Sequence, residues 1–309
     1  MAKVLRLFSA ANGLNTKVDP VRLEYNPETG VQDLAVAYNV DIDHTGRVSR
    51  RKGFTQRVAV NIHSLFCEGG ECLYVYGVTL GRLLPDWTGV AVTTVSYGAK
   101  MSYAQVNNRI YYCNGNETGF VEGGVNNAWT LGTYHGPDTD REFVAPPVGS
   151  HIAYYNGRLY VAQGNTCWYS EPYGFDLFDL TRNYIAVDSR VRMIRPVRDG
   201  IFIGSESAVF FMAGANPVEG RMVKVCDYPV VEWSDCNFHG TFVVTRTGEV
   251  YVEFDTGELS AMWMSSKGVC YGGYDGDFRN MTDRKVDLPA ANTGSGVVYK
   301  GRFIGLLNP

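Results

Sequence analysis

The sequence predicts a mainly β protein with a β-propeller-like body of five to six blades, each an antiparallel meander. Three observations predict it. Strand-like segments recur along the chain, each split by a two-residue turn. Their spacing is near 40–50 residues, the period of propeller blades. The composition is rich in turn and strand formers, with 35 glycines and 13% aromatic residues. One small sheet cannot bury both of its faces, whereas several packed face to face around an axis can. The alternative is a β-sandwich that happens to carry many hairpins.

The first sixty residues read as an N-terminal arm and hairpin (1–60), separate from the propeller-like domain at 61–309. Met1–Ala11 begins like a leader, but Arg6 breaks its apolar run, so it reads as mature sequence. Leu14–Asp33 is polar, carries Pro20 and Pro27, and is expected to run as an extended arm. Val40 and Ile42 alternate with Asp41 and Asp43, the pattern of a half-buried strand. Gly46 then supplies a left-handed turn position and Val48 the return strand.

The body follows as repeated units. The turn pairs are Asn107-Asn108, Asn156-Gly157, Asp199-Gly200, His239-Gly240 and Lys300-Gly301. Such pairs suit a type I′ hairpin, which needs positive φ at both central residues. The first apolar residues after them, Ile110, Leu159, Ile201, Phe242 and Phe303, are spaced by 49, 42, 41 and 61. Glu71–Gly77 reads as a further copy. Second turns are expected at Gly115-Asn116, Gly164-Asn165, Glu206-Ser207 and Thr247-Gly248. Third strands are expected at Gly119–Val121, Cys167–Tyr169, Val209–Met212 and Val250–Val252. No run approaches the roughly 18–20 apolar residues of a membrane span.

Charge and cysteine content narrow the function. A net charge of −4 argues against a general nucleic-acid binder with a basic surface. Seven cysteines, several within strand-like runs, read as buried thiols of a chain folded under reducing conditions. Cys67 and Cys72 could instead form a local disulfide or half a metal site, but no second Cys/His pair has zinc-site spacing.

Signatures of catalysis are absent. There is no phosphate-cradling P-loop, G-x-G-x-x-G, H-E-x-x-H or G-x-S-x-G. His44, His63, His135, His151 and His239 are scattered, with His239 read as a turn residue. Asp41, Asp43 and Gly46 hint at a calcium loop, but Lys52 stands where an EF-hand needs its bidentate glutamate. Asp138/Asp140 and Asp275/Asp277 read as solvated turns. A carbohydrate-binding or glycoside-hydrolysing propeller is the alternative. It would draw two carboxylates from Glu171, Asp176, Asp179, Glu232 and Asp235, and nothing in the sequence selects a pair. Trp129, Trp168, Trp233 and Trp263 read as inter-blade packing. No metal and no cofactor is expected.

Two basic groups stand out as candidate partner or subunit contacts. Arg47, Arg50, Arg51 and Lys52 form the dense cluster. Arg190 and Arg192 have strand spacing, with Val191 and Met193 on the opposite face and Arg195 and Arg198 continuing the series. For the first group a solvated hairpin face or a DNA contact are the alternatives to an acidic surface of a neighbouring subunit or adaptor; for the second a charge-protected surface edge explains the pattern equally well.

The N-terminal string carries a resemblance. Gly13-Leu-Asn-Thr-Lys-Val-Asp-Pro20, then Leu34-Ala, Asn39-Val-Asp-Ile-Asp43, Gly46-Arg-Val-Ser-Arg-Arg51 and Gly53-Phe54 resemble the opening of bacteriophage tail nozzle proteins (tail tubular protein B-like) of short-tailed double-stranded DNA phages. It covers about 45 residues, and known nozzle proteins include considerably longer chains. The resemblance implies a non-enzymatic virion protein of the tail, assembled in the host cytoplasm. It implies a homohexameric ring that continues the DNA channel, retains packaged DNA and releases it at ejection. It further implies an adaptor or portal protein above, a tail fibre or tip protein below, transient passage of double-stranded DNA and no membrane. Another head–tail connector protein is the nearby alternative.

Overall fold

The computed structural model describes residues 8–308 except 24, 25, 27–29, 44, 139, 245–249 and 284. Residues 1–7, Pro27, His44 and the Thr247-Gly248 turn therefore lie outside the described residues. Strands dominate. The arm region holds β1 (Ala10–Leu14), β2 (Val31–Leu34), β3 (Val40–Ile42) and β4 (Val48–Arg50). The body holds five four-stranded sheets and a final hairpin. Sheet one is β5 (His63–Glu68), β6 (Glu71–Tyr76), β7 (Thr79–Leu83) and β8 (Gly89–Thr94). Sheet two is β9 (Ser102–Val106), β10 (Arg109–Cys113), β11 (Thr118–Glu122) and β12 (Val125–Asn127). Sheet three is β13 (His151–Tyr155), β14 (Arg158–Gln163), β15 (Thr166–Tyr169) and β16 (Tyr184–Ala186). Sheet four is β17 (Val191–Val197), β18 (Gly200–Ser205), β19 (Val209–Ala213) and β20 (Arg221–Cys226). Sheet five is β21 (Cys236–Val244), β22 (Val250–Ser265), β23 (Gly268–Gly272) and β24 (Phe278–Asn280). The hairpin is β25 (Thr293–Val298) with β26 (Phe303–Asn308). Every sheet of the body runs in chain order, as an antiparallel meander. The fold is mainly β with a propeller-like body, as the repeats predict: five complete blades and a sixth of two strands.

The turn chemistry accounts for most hairpins. Asn156-Gly157 and Lys300-Gly301 both take positive φ at each position, while in Asn107-Asn108 only Asn107 does. Two of the five turns are misplaced by the sequence. The β17–β18 turn is Arg198-Asp199, one residue early, because Gly200 already pairs with Val197 and Ala213. His239-Gly240 is no turn but part of β21, opposite a register shift: His239 faces Leu259 and Gly240 faces Phe254, so the extra residues lie on β22. A Cβ on Gly240 would stand 2.8 Å from the Glu253 carbonyl. Glycine marks a close backbone approach there, which local sequence cannot tell from a turn. Val250–Val252 consequently belongs to the second strand of its sheet, not the third.

Blades pack through their faces, and the cores lie between neighbours. Leu73, Val75 and Leu80 of sheet one meet Ile110, Tyr112 and Val121 of sheet two. Tyr111 and Cys113 of sheet two meet Leu159 and Val161 of sheet three. Tyr160 and Cys167 of sheet three meet Ile201 and Ile203 of sheet four. Phe202 and Phe211 of sheet four meet Trp263 and Cys270 of sheet five. Phe238 and Tyr271 of sheet five meet Val298 and Phe303 of the last hairpin. Among the described residues no such cluster joins the last hairpin to sheet one. Lys100, in the β8–β9 connection, donates from Nζ to the Gly294 carbonyl of the last hairpin at 2.9 Å. Outside that point Leu65, Tyr76, Val297 and Leu306 remain exposed.

The arm does not run extended from Leu14 to Asp33. It folds back, and β1 pairs with β2 in parallel. The cause is long-range. Asn15 donates to buried Asp33 at 2.8 Å, and Lys285 reaches the same carboxylate at 2.9 Å. Lys17 pairs with Asp287, and Arg302 with Asp41. The β3–β4 hairpin forms as predicted. Its Gly46, at φ +77°, lies so close to β1 that a Cβ would come within 2.7 Å of Ala10.

The cysteines divide. Cys67 and Cys72 form a disulfide across the β5–β6 hairpin, whose apex is Gly69-Gly70. This corrects the reading of all seven as thiols. Cys113, Cys167, Cys226 and Cys270 are buried and free, and Cys236 is half-buried and free.

Candidate functional site

Chemistry-bearing side chains gather where the inner strands converge. A cavity of about 500 Å³ is lined by β5, β9, β17, β21 and β25, with His63, Lys100, Arg195, Trp233, Asp235 and Ser295 in its wall. The single face predicted for Val191 and Met193 is not kept: a register shift in β17 sends Val191 into the core against sheet three and Met193 into the core against sheet five, and Arg195 into the cavity wall. Trp233, in the loop before β21, takes φ +69°. A left-handed conformation at a bulky residue is held only by surrounding structure and marks a constrained site. Here the indole stacks on His151 of β13, centroids 4.3 Å apart.

The electrostatics of the site follow from burial. Arg190 Nη2 donates to Glu232 at 2.7 Å, Arg192 to Glu206 at 3.1 Å, and Arg195 pairs with Asp235. Burial pushes the Glu232 carboxyl up, with Arg190 and Arg192 opposing. Burial also lowers the Lys100 ammonium, with Glu232 and Asp235 opposing, and it lowers His63, assisted by Lys100. His151 is buried, hydrogen-bonds to Ser150 Oγ through Nδ1, and has no hydrogen-bond partner at Nε2 among the described residues. Burial lowers its pKa to about 4, although Asp235 opposes the shift; Arg195 and Arg190 reinforce it. The 3.9 Å approach of Nε2 to Glu232 is therefore not an ion pair at neutral pH.

His151 gives a pH prediction. Its unfolded pKa is near 6.5 and its folded pKa about 4. Between those values the unfolded chain binds more protons, so stability falls as pH drops from 6.5 towards 4 and is unaffected above 7. His151→Phe keeps a ring against Trp233 and removes the titration. Melting curves of the variant should lose less Tm over that window than wild type; parallel curves would contradict the assignment.

The arginine series predicted as a subunit contact is engaged within the chain. Besides the pairs above, Arg198 binds Asp199 at 2.7 Å and Glu258 at 3.0 Å. The hairpin cluster differs. Arg51 pairs with Asp41 at 3.2 Å, while the side chains of Arg47, Arg50 and Lys52 are exposed. The calcium-loop hint resolves into turn chemistry, since Asp43 Oδ1 accepts from the Thr45 and Arg47 amides.

Four of the five carboxylates of the glycosidase alternative fall into two groups, and Asp176 shares an ion pair with neither among the described residues. Glu171 and Asp179 share Arg141, at 2.5 and 3.2 Å. Both carboxyls are held below the ordinary carboxylate range: burial works against this, but hydrogen bonds from Arg141, Asn183 and Thr181 outweigh it. Glu232 and Asp235 stand at the axis, apart from that cluster. The sequence could not have revealed Arg141 as their organiser, 30 and 38 residues away. Nor does it reveal the His151–Trp233 stack.

No protein-family model matches the chain, and no curated protein matches it. Solved structures do, at low identity. The chain is similar to the extracellular domain of a hybrid two-component system of B. thetaiotaomicron, at 9% identity and TM-score 0.47, covering 84% of this chain and 33% of that one. A gluconolactonase from Xanthomonas campestris gives 11% identity and TM-score 0.47, covering 82% and 88%. PorZ, a surface component of the type-IX secretion system of Porphyromonas gingivalis, gives 12% and 0.42, covering 82% and 30%. The chain thus spans about a third of the first and the last. At these scores the likenesses carry no argument about its chemistry.

Proposed function

We propose that this chain is a non-enzymatic structural subunit of a bacteriophage tail. Six copies would form a nozzle ring that continues the DNA channel, below an adaptor or portal protein. The observation that carries the reading is the arm. The nozzle-like string occupies a separate element fastened to the β24–β25 connection by Lys17–Asp287 and Lys285–Asp33, and to the last hairpin by Arg302–Asp41. That element leaves Val36, Tyr38 and Phe54 exposed at 61%, 85% and 83%. Large apolar side chains held out on an anchored element favour burial against a neighbour. The exposed Arg47, Arg50 and Lys52 supply a polar rim, the usual border of an interface. The unpacked seam between the last hairpin and sheet one offers a second, different surface. Two unlike surfaces on one chain suit the head-to-tail contacts of a closed ring.

The test is assembly. Wild-type protein, alone or with its adaptor, should form six-fold rings in negative-stain images. Tyr38→Asp with Phe54→Asp should sediment as a folded monomer and fail to enter tails. Normal incorporation of the double variant would refute the role given to the arm.

A further inference from the structure

We propose that the axial cavity binds a small hydroxylated carboxylate, a sugar acid, held by Lys100 and the indole of Trp233. The inference does not depend on the ring, because one chain supplies the whole cavity. Its charge pattern carries the argument. Arg195 is occupied by Asp235 and by Asn237, and Arg190 and Arg192 by Glu232 and Glu206. Lys100 differs. Its half-buried ammonium donates to one carbonyl, that of Gly294, and no carboxylate among the described residues lies within ion-pair distance. An ammonium has three donors, and Glu232 and Asp235 act on this one only from beyond ion-pair distance. A ligand carboxylate would supply both the charge and the acceptors.

The remaining wall selects what is attached to that carboxylate. One face of Trp233 is covered by His151, and the indole lines the cavity while only half-buried. Its strained backbone holds the ring in that place. An indole face of this kind suits the C–H face of a sugar ring. Asp235 takes Arg195 through Oδ2 and lies in the wall beside Asn237, so hydroxyl groups find acceptors there. The volume of about 500 Å³ falls within the range of small-molecule sites. A phosphate dianion fits less well, since Glu232 and Asp235 both lie close enough to act on Lys100. A neutral sugar would leave the ammonium without a direct ion-pair partner.

The experiment is calorimetric titration of the full chain with D-galacturonate, D-galactose and inorganic phosphate. Galacturonate should bind saturably, at least tenfold tighter than galactose, and phosphate should not displace it. Lys100→Met should weaken galacturonate at least tenfold. Because that change also removes the Gly294 contact, Ser295→Phe provides a second variant. It fills the cavity from an exposed position on β25 and should abolish binding without lowering Tm. No saturable galacturonate binding, equal affinity for galactose, tighter binding of phosphate, or wild-type affinity in both variants would overturn the proposal.

Discussion

Replacing Arg141 by methionine should destabilise the protein by about 3–5 kcal/mol, the cost of stripping the partner from a buried ion pair. Arg141 holds Glu171 and Asp179 together, and the Asp179 side chain is only 1% exposed. Asn183 completes the cluster, donating to Glu171 at 2.6 Å. Methionine matches the length of the stem but leaves two carboxylates buried without their cation. For a chain of this size, about 2–4 °C of Tm accompanies each kcal/mol, so melting should fall by roughly 10 °C. The sign of the pH dependence follows. Both carboxyls are depressed in the folded state, so their contribution is present above their unfolded values near 4 and is lost as pH falls below them. The gap between wild type and variant should therefore narrow in acid. A loss under 1 kcal/mol at pH 7 would mean that water reaches the cluster.

Trp263→Ala should cost a similar amount, about 3–5 kcal/mol, as large-to-small changes in a packed core do. Trp263 is fully buried between sheets four and five, with its ring 5.5 Å from Phe202 and 5.9 Å from Phe278. Its indole N–H has no partner among the described residues. Trp263→Phe keeps most of the packing and deletes that unsatisfied donor, so it should recover most of the loss. Equal destabilisation by both variants, measured by urea unfolding, would contradict this division between packing and polarity.

Local pattern made the body legible. Asn156-Gly157 and Lys300-Gly301 are short-range signals, and each sits at the tip of the hairpin it predicts. The alternation of Val191 and Met193 with the arginines did not hold, because a register shift between them sends the two side chains into different inter-blade cores. His239-Gly240 failed for the same reason that the others worked. Glycine answers to two demands, positive φ and close approach, and only a partner strand distinguishes them. The outermost strands, such as β16 and β24, span three residues each and carry little periodicity. The candidate site was far less legible. Trp233 meets a histidine 82 positions earlier, and Lys100 meets a carbonyl 194 positions later. The arm's return depends on Lys285, at the opposite end of the chain.

With no core joining the final hairpin to sheet one among the described residues, the body is a split washer. Five joints are filled with side chains and resist shear, while beside the sixth Lys100 holds the Gly294 carbonyl. Any outward force, whether thermal or applied through the arm, would open the circle at that gap before it disturbed the five filled joints.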